Sequence, residues 1–288
     1  MKMDQRGSLL IASLAMMVLL TVLMAGLVYN ISEQVHVYNR FKQEFEGRMA
    51  FMDGFWAVTA MIYNDPMSYI DHLNKEWYGQ IKLPDFLKDN LQVIVGDEES
   101  KLNLNKIPTN WLEAFLKERE EEGLSSEQTR KFEKELLDQR AKKPLVSVDE
   151  LYLLKEIDPE TIQKITPFVT IYTDGAQINI NTASEEVLRS LIFSVQGDET
   201  AQKTILDAIM NKRPFFSDEF VPAKMTELMK LPKTMQVAQV LNAMVPYVTV
   251  NSCTYNMKMK FRNSQSAEIV AKESGTWSNL KILSWFEL

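Results

Sequence analysis

Between Gly7 and Ser32 the chain has no charged side chain, and most positions are Leu, Met, Val, Ala or Ile. Roughly 20 consecutive apolar residues cross the hydrocarbon core of a bilayer, at about 1.5 Å of rise per residue. The stretch is long enough to span and too long for an ordinary secretory signal. The rest of the chain must therefore fold on one side of it. Lys2 and Arg6 precede the span, and Glu33 is the first charge after it. The positive-inside rule places the N-terminus in the cytoplasm. In a Gram-negative cell, a single-pass inner-membrane protein with a periplasmic body is expected.

The helical pattern continues past Ser32. Ile31, Val35, Tyr38, Phe41, Phe45, Met49, Met52 and Trp56 recur at steps of three and four, with Glu33, Arg40, Lys42, Glu44 and Glu46 between them. This spacing predicts an amphipathic helix. Gly47 and Gly54 weaken it modestly, and the first proline is Pro66, which disfavours helix at Asp65. One helix is expected from about Ser8 to Asn64, roughly 85 Å long. Its aromatic stripe, including Phe51, Phe55 and Trp56, is expected to pack on a sheet rather than form a heptad seam.

The remainder has the composition of a folded body. The net charge of −7 argues against binding a phosphate backbone, which depends on Lys and Arg. Cys253 is the single cysteine, so no intrachain disulfide can form, and His36 and His72 are too far apart in sequence to suggest a metal site. No Gly-rich phosphate loop and no nucleophile elbow is present, so no enzyme is expected.

Leu91–Val95 reads as a strand, residues 96–100 as a turn and Leu102–Asn105 as a second strand, which together predict a hairpin. In the turn, Asp97, Glu98 and Glu99 offer oxygen ligands to calcium; a solvated acidic turn is the preferred reading. From Ile107 to about Met244 the pattern is helical. Asn110-x-x-Glu113, Ser125-x-x-Gln128 and Ser147-x-x-Glu150 have the capping-box form, and Asp158-Pro159 sets a cap before proline. The charges between Lys117 and Lys143 suggest a solvated helical hairpin. Two short patterns recur. Lys101–Asn105 parallels Gln177–Asn181. Asp149-Glu150-Leu151 leads to Pro167–Ile171, as Asp218-Glu219-Phe220 leads to Pro246–Val250, a weak internal duplication. At the end, Tyr255, Met257, Met259 and Phe261 alternate with Asn256, Lys258, Lys260 and Arg262, which predicts a half-buried strand. Asn263-Ser264 turns the chain, and Ala267–Ala271 and Leu280–Phe286 add two strands around Ser274-Gly275.

Three resemblances bear on function. The short leader ending in Arg6-Gly7 resembles a class III prepilin signal. This implies cleavage by a prepilin peptidase between Gly7 and Ser8, and methylation of Ser8; an uncut signal anchor is the other reading. The run Ile178–Leu188 resembles the opening of helix-hairpin-helix modules of competence DNA receptors, whose hairpin glycines let backbone N–H groups approach a phosphate. Here the candidate hairpins, Phe193–Asp198 and Lys155–Pro159, are acidic and hold one glycine, Gly197. Nucleic acid is accordingly not expected as a partner.

The third resemblance covers nearly the whole chain. Arg6-Gly7 with the apolar helix, Asp97–Asn105, Val148–Leu151, Ile178–Ala183 and Ile282–Trp285 occur in the order of the general secretion pathway protein K family, the large minor pseudopilin of type II secretion. The resemblance implies an α+β, pilin-like fold, a long N-terminal helix packed on an antiparallel sheet. It also implies a large inserted helical domain of the SAM-like or helix-hairpin-helix-like kind. The expected divisions are a leader (1–7), a transmembrane segment (8–32), an amphipathic continuation (33–66), the first part of the head (67–105), the inserted domain (106–245) and C-terminal strands (246–288). The implied role is at the pseudopilus tip, helping to initiate assembly and export of folded periplasmic proteins. Implied partners are the I- and J-type minor pseudopilins, the major pseudopilin, the prepilin peptidase and the inner-membrane platform. Calcium is the one cofactor suggested, because some members bind it in the head. Major subunits carry a Glu at the fifth mature position, where it meets a neighbour's terminal amine. The equivalent here is Ala12, which suits the end of a stack. The alternatives are a membrane-anchored DNA-binding protein of a competence-like uptake system and a generic anchored periplasmic scaffold.

Overall fold

The computed structural model describes residues 5–65, 71–216, 219, 221–262, 265–274 and 279–287. Expectations placed on residues 1–4, Pro66, Asp218, Phe220, the Asn263-Ser264 turn and Gly275 lie outside the described residues. The chain divides into two compact units, Met1–Met52 and Asp53–Leu288.

One helix, α1 (Gln5–Tyr63), runs through the apolar stretch and beyond it, as the unbroken apolar and then amphipathic pattern predicts. In the first unit Val35, Tyr38, Phe41, Phe45 and Met49 are between 49% and 66% exposed, and Trp56 in the second unit is 56% exposed. The expected stripe is therefore only in part the face that packs on the sheet: of its named aromatics Phe51 and Phe55 are buried, and Trp56 is not. In the second unit that face holds Gly54, Phe55, Val58 and Ile62, all buried. A Cβ on Gly54 would lie 2.7 Å from Leu91 Cδ2 and 3.2 Å from Met259 Sδ. The glycine that weakens the helix locally is a point where the strands carrying Leu91 and Met259 approach it closely. Just past the helix end, the Asp65 carboxylate accepts from Lys75 Nζ at 2.6 Å and Trp77 Nε1 at 3.0 Å.

After α1 come β1 (Gly79–Gln80), α2 (Asp85–Lys88) and β2 (Leu91–Asp97). The chain then leaves the sheet for a helical module: β3 (Leu102–Asn103), α3 (Thr109–Glu121), α4 (Ser126–Lys142), α5 (Pro159–Ile165), β4 (Val169–Thr170), β5 (Ile178–Asn179), α6 (Glu185–Ser194), α7 (Glu199–Lys212), α8 (Pro222–Leu228), α9 (Met235–Met244) and β6 (Val248–Thr249). It returns with β7 (Thr254–Phe261), β8 (Gln265–Ser274) and β9 (Asn279–Glu287). The antiparallel sheet has the order β1-β2-β7-β8-β9. Strands β2 and β7 are neighbours, with Val93 opposite Met259, although the whole module lies between them in sequence.

The hairpin expected between Leu91–Val95 and Leu102–Asn105 does not form. Strand β2 pairs with β1 and β7, and β3 pairs in parallel with β4. Alternation along one strand sets which face is buried but leaves its partner open. The C-terminal alternation holds: Tyr255, Met257, Met259 and Phe261 are buried, and Lys258, Lys260 and Arg262 exposed. Asn256 departs from it, being buried as well.

Within the module, Ser125 and Gln128 form the expected capping box on α4, and Asp158 caps α5 by accepting from Thr161 N at 2.8 Å. Helix α3 instead starts after Pro108, and Asn110 in its first turn donates to the Ser194 carbonyl at 3.1 Å. Ser147 caps a 3-10 turn, Val148–Leu153, rather than an α-helix. The hairpin of α3 and α4 is not solvated throughout, because Phe115, Phe132 and Leu136 are fully buried. They join Trp111, Leu151, Ile162, Leu188, Ile205 and Leu241 in one module core.

The recurring sequence patterns occupy recurring geometry. Leu102 and Asn103 pair in parallel with Val169 and Thr170, as Ile178 and Asn179 do with Val248 and Thr249. Asn103 Oδ1 accepts from Asn105 N at 2.9 Å, and Asn179 Oδ1 from Asn181 N at 3.0 Å. Asn105 exchanges two hydrogen bonds with the Leu145 backbone, and Asn181 does the same with Phe215. Each asparagine satisfies backbone groups that lie outside the short strands.

Candidate functional site

The junction between sheet and module is built on the acidic turn that leaves β2. Asp97 caps a 3-10 turn, Glu98–Ser100, accepting from Glu99 N at 2.8 Å. Asp97, Glu98 and Glu99 are 1%, 1% and 9% exposed, so the expectation of a solvated turn is corrected. The adjacent residues leave β2 with the module on one side and β7 on the other, and both supply donors. Asp97 Oδ2 accepts from Asn179 Nδ2 at 3.0 Å and from the Thr182 hydroxyl. Glu98 accepts from the Thr170 hydroxyl, Lys101 Nζ and Asn256 Nδ2. Glu99 accepts from Thr254 N and Oγ1, both at 3.0 Å. Nearby, Asp71 accepts from Ser252 N at 2.7 Å.

Removing carboxylates from water favours their neutral form. Burial pushes Asp71 up to about 7, with the Asp97 charge adding and the Ser252 N–H opposing. Burial, and then the Asp97 charge, raises Glu99 to about 9. Asp97 is also shifted upward by burial, against the hydrogen bonds that hold it. The three acids that offer oxygen ligands to calcium in the sequence are thus each held by protein donors. Among the described residues, no group of three or more His, Cys, Asp or Glu is gathered so that it could hold a metal ion. Sequence reasoning missed Asp71, Thr182, Ser252 and Thr254. Asn179 lay within a repeated motif, but no periodicity announces a contact with Asp97.

The remaining site residues lie on other parts of the fold. Gly7 and Ser8 are within α1, and Ala12 is exposed on its apolar part. The region from Leu9 has a mean hydropathy of 2.5 over its most apolar window, long and apolar enough to cross a membrane. A Cβ on Gly197 would lie 2.5 Å from Val240 Cγ2, so this glycine makes room for α9. Asp198 caps α7 by accepting from Ala201 N at 3.0 Å.

No family model matches the chain, and no curated protein matches it. Among solved structures, it is similar to a chain in the crystal structure of the GspK-GspI-GspJ complex from the enterotoxigenic Escherichia coli type 2 secretion system. The TM-score is 0.60 at 15% identity, over 86% of this chain and 98% of that chain. At this identity the likeness is one of architecture. The long helix, the antiparallel sheet and the module between β2 and β7 together give this chain a pilin-like α+β fold shared with a component of a type 2 secretion complex.

Proposed function

We propose that the chain is a minor pseudopilin of the protein K kind, acting at the tip of a type II secretion pseudopilus. The observation that carries this reading is the fold likeness, which extends over 86% of this chain and 98% of the compared chain. The exposed stripe of α1 supports it. Val35, Tyr38, Phe41 and Phe45 continue an apolar surface past the span, where a helix standing alone in water would gain from a neighbour. Ala12 supports the tip position, because it offers no carboxylate to an adjoining terminal amine. In this reading the N-terminus is cytoplasmic and the body periplasmic. Prepilin peptidase cuts between Gly7 and Ser8, and the I- and J-type minor pseudopilins are the nearest partners. The role is to help start assembly and export, with no catalytic step of its own.

Mass spectrometry after co-expression with a prepilin peptidase tests this. The chain should lose seven residues and carry a methyl group on Ser8, and Gly7→Arg should prevent both changes. Immunogold label should lie at filament ends. An uncut chain, or label along the filament, would argue for a plain anchored protein or a body subunit.

A further inference from the structure

The sheet face that points away from Met257 and Met259 meets the helical module at a cleft of about 400 Å³. Asn256 lines this cleft and is 6% exposed. Its Nδ2 donates to Glu98 Oε1 at 3.2 Å and Glu268 Oε1 at 2.5 Å. Both acceptors are carboxylates, so the amide orientation is fixed by chemistry. Asn256 Oδ1 is left buried without a hydrogen-bond partner. An unmet buried acceptor is costly, and a donor entering the cleft would remove that cost.

The lining selects the donor. Glu98, Glu268 and Asp149 stand against Lys101 and Lys258, which leaves an excess of acid. Lys101 is already paired with Glu98 at 2.5 Å, and Lys258 lies across from Glu268 in the β7–β8 ladder. Val270, Tyr152 and Phe286 supply apolar and aromatic wall. Beside the cleft, Leu153 is 75% and Val146 63% exposed, an apolar rim suited to a protein surface. We infer that this cleft receives an arginine side chain presented by a partner protein. Arginine has an apolar stem for the wall and a planar head that stacks on aromatic rings. Its five donors can serve Asn256 Oδ1 and a neighbouring carboxylate together. The inference rests on the cleft alone, whether or not the chain enters a filament.

The test uses the full chain in detergent micelles, titrated by ligand-observed NMR with Nα-acetyl-arginine N-methylamide. Its citrulline counterpart and free agmatine are the comparators. The blocked arginine should bind saturably, and the citrulline compound about tenfold more weakly, as expected for loss of a charge-assisted hydrogen bond. Asn256→Ala should weaken arginine binding about tenfold. If that variant is unfolded by circular dichroism, the exposed Tyr152→Ala decides, with an expected loss of about threefold or more. Absence of saturable binding, equal binding of citrulline, or affinity unchanged in the folded variants would overturn the proposal. Agmatine binding tenfold tighter than the blocked arginine would also overturn it, in favour of a free amine ligand.

Discussion

Asn179 Nδ2 donates to Asp97 Oδ2 at 3.0 Å, while Asn103, at the matching position of the repeated pattern, donates to Thr173 instead. Both amides also reach a hydroxyl three residues past their parallel partner strand, Ser252 for Asn179 and Thr173 for Asn103. The second copy alone extends its amide to the turn that ends β2. Together with the Thr182 hydroxyl on the same carboxylate, that contact ties the module to β2 at its point of departure.

The two equivalent asparagines should differ in cost. Asn181 is 1% exposed and Asn105 half-buried, yet each makes the same pair of bonds. Asn181→Ala strands two buried backbone groups of Phe215 and should cost about 2–4 kcal/mol, against about 1–2 kcal/mol for Asn105→Ala. Chemical denaturation of the full chain in micelles measures both. A larger loss at Asn105 would show that burial does not set the scale.

Stability should fall as pH rises. Asp71 and Glu99 hold their protons more tightly in the folded chain, at about 7 and about 9, than their ordinary values of 3.8 and 4.5. The folded state then binds more protons than the unfolded one, so its contribution is greatest below about pH 4. It is lost on the way up to about 7 for Asp71 and about 9 for Glu99. Stability should therefore decline between about pH 5 and 8, by up to about 1.4 kcal/mol per pH unit for each group. Asp71→Asn, which keeps an acceptor for Ser252 N, should flatten the lower part of this slope. A wild-type curve that rises over the same interval would contradict the assignment.

Gly197→Ala should destabilise the module by about 1–3 kcal/mol, because its Cβ would meet Val240 Cγ2 at 2.5 Å. Adding Val240→Ala should make the glycine substitution nearly neutral, since the clashing methyl is gone. The double-mutant cycle reads this coupling directly. Independent, additive losses would mean that the glycine serves the backbone rather than the packing.

Ala12→Glu follows from the proposed tip role. A carboxylate in the apolar part of α1 is costly without a partner. The variant should either lose membrane-inserted protein or enter the filament body, where a neighbour's amine can meet it. Membrane fractionation with immunogold labelling distinguishes these outcomes from an unchanged distribution at filament ends, which would remove Ala12 from the argument.

Elements whose information is local could be read directly from the residues. An uncharged stretch followed by a proline-free pattern is sufficient for α1, because helix and span depend on residues a few positions apart. Caps at Ser125 and Asp158, the alternation of β7 and the two asparagine motifs were legible for the same reason. Tertiary structure alone decided which strand pairs with which, since β2 chose β7 across the whole module and β3 chose β4. It also decided which part of the α1 stripe is buried: Phe55 is inside and Trp56 is not, and Gly54, with little apolar weight, lets Leu91 and Met259 approach. Above all it decided the fate of Asp97, Glu98 and Glu99. Three adjacent acids read as solvent-exposed until donors from residues 170, 179, 182 and 254 surround them, and burial is a property of that assembly rather than of any window of the chain.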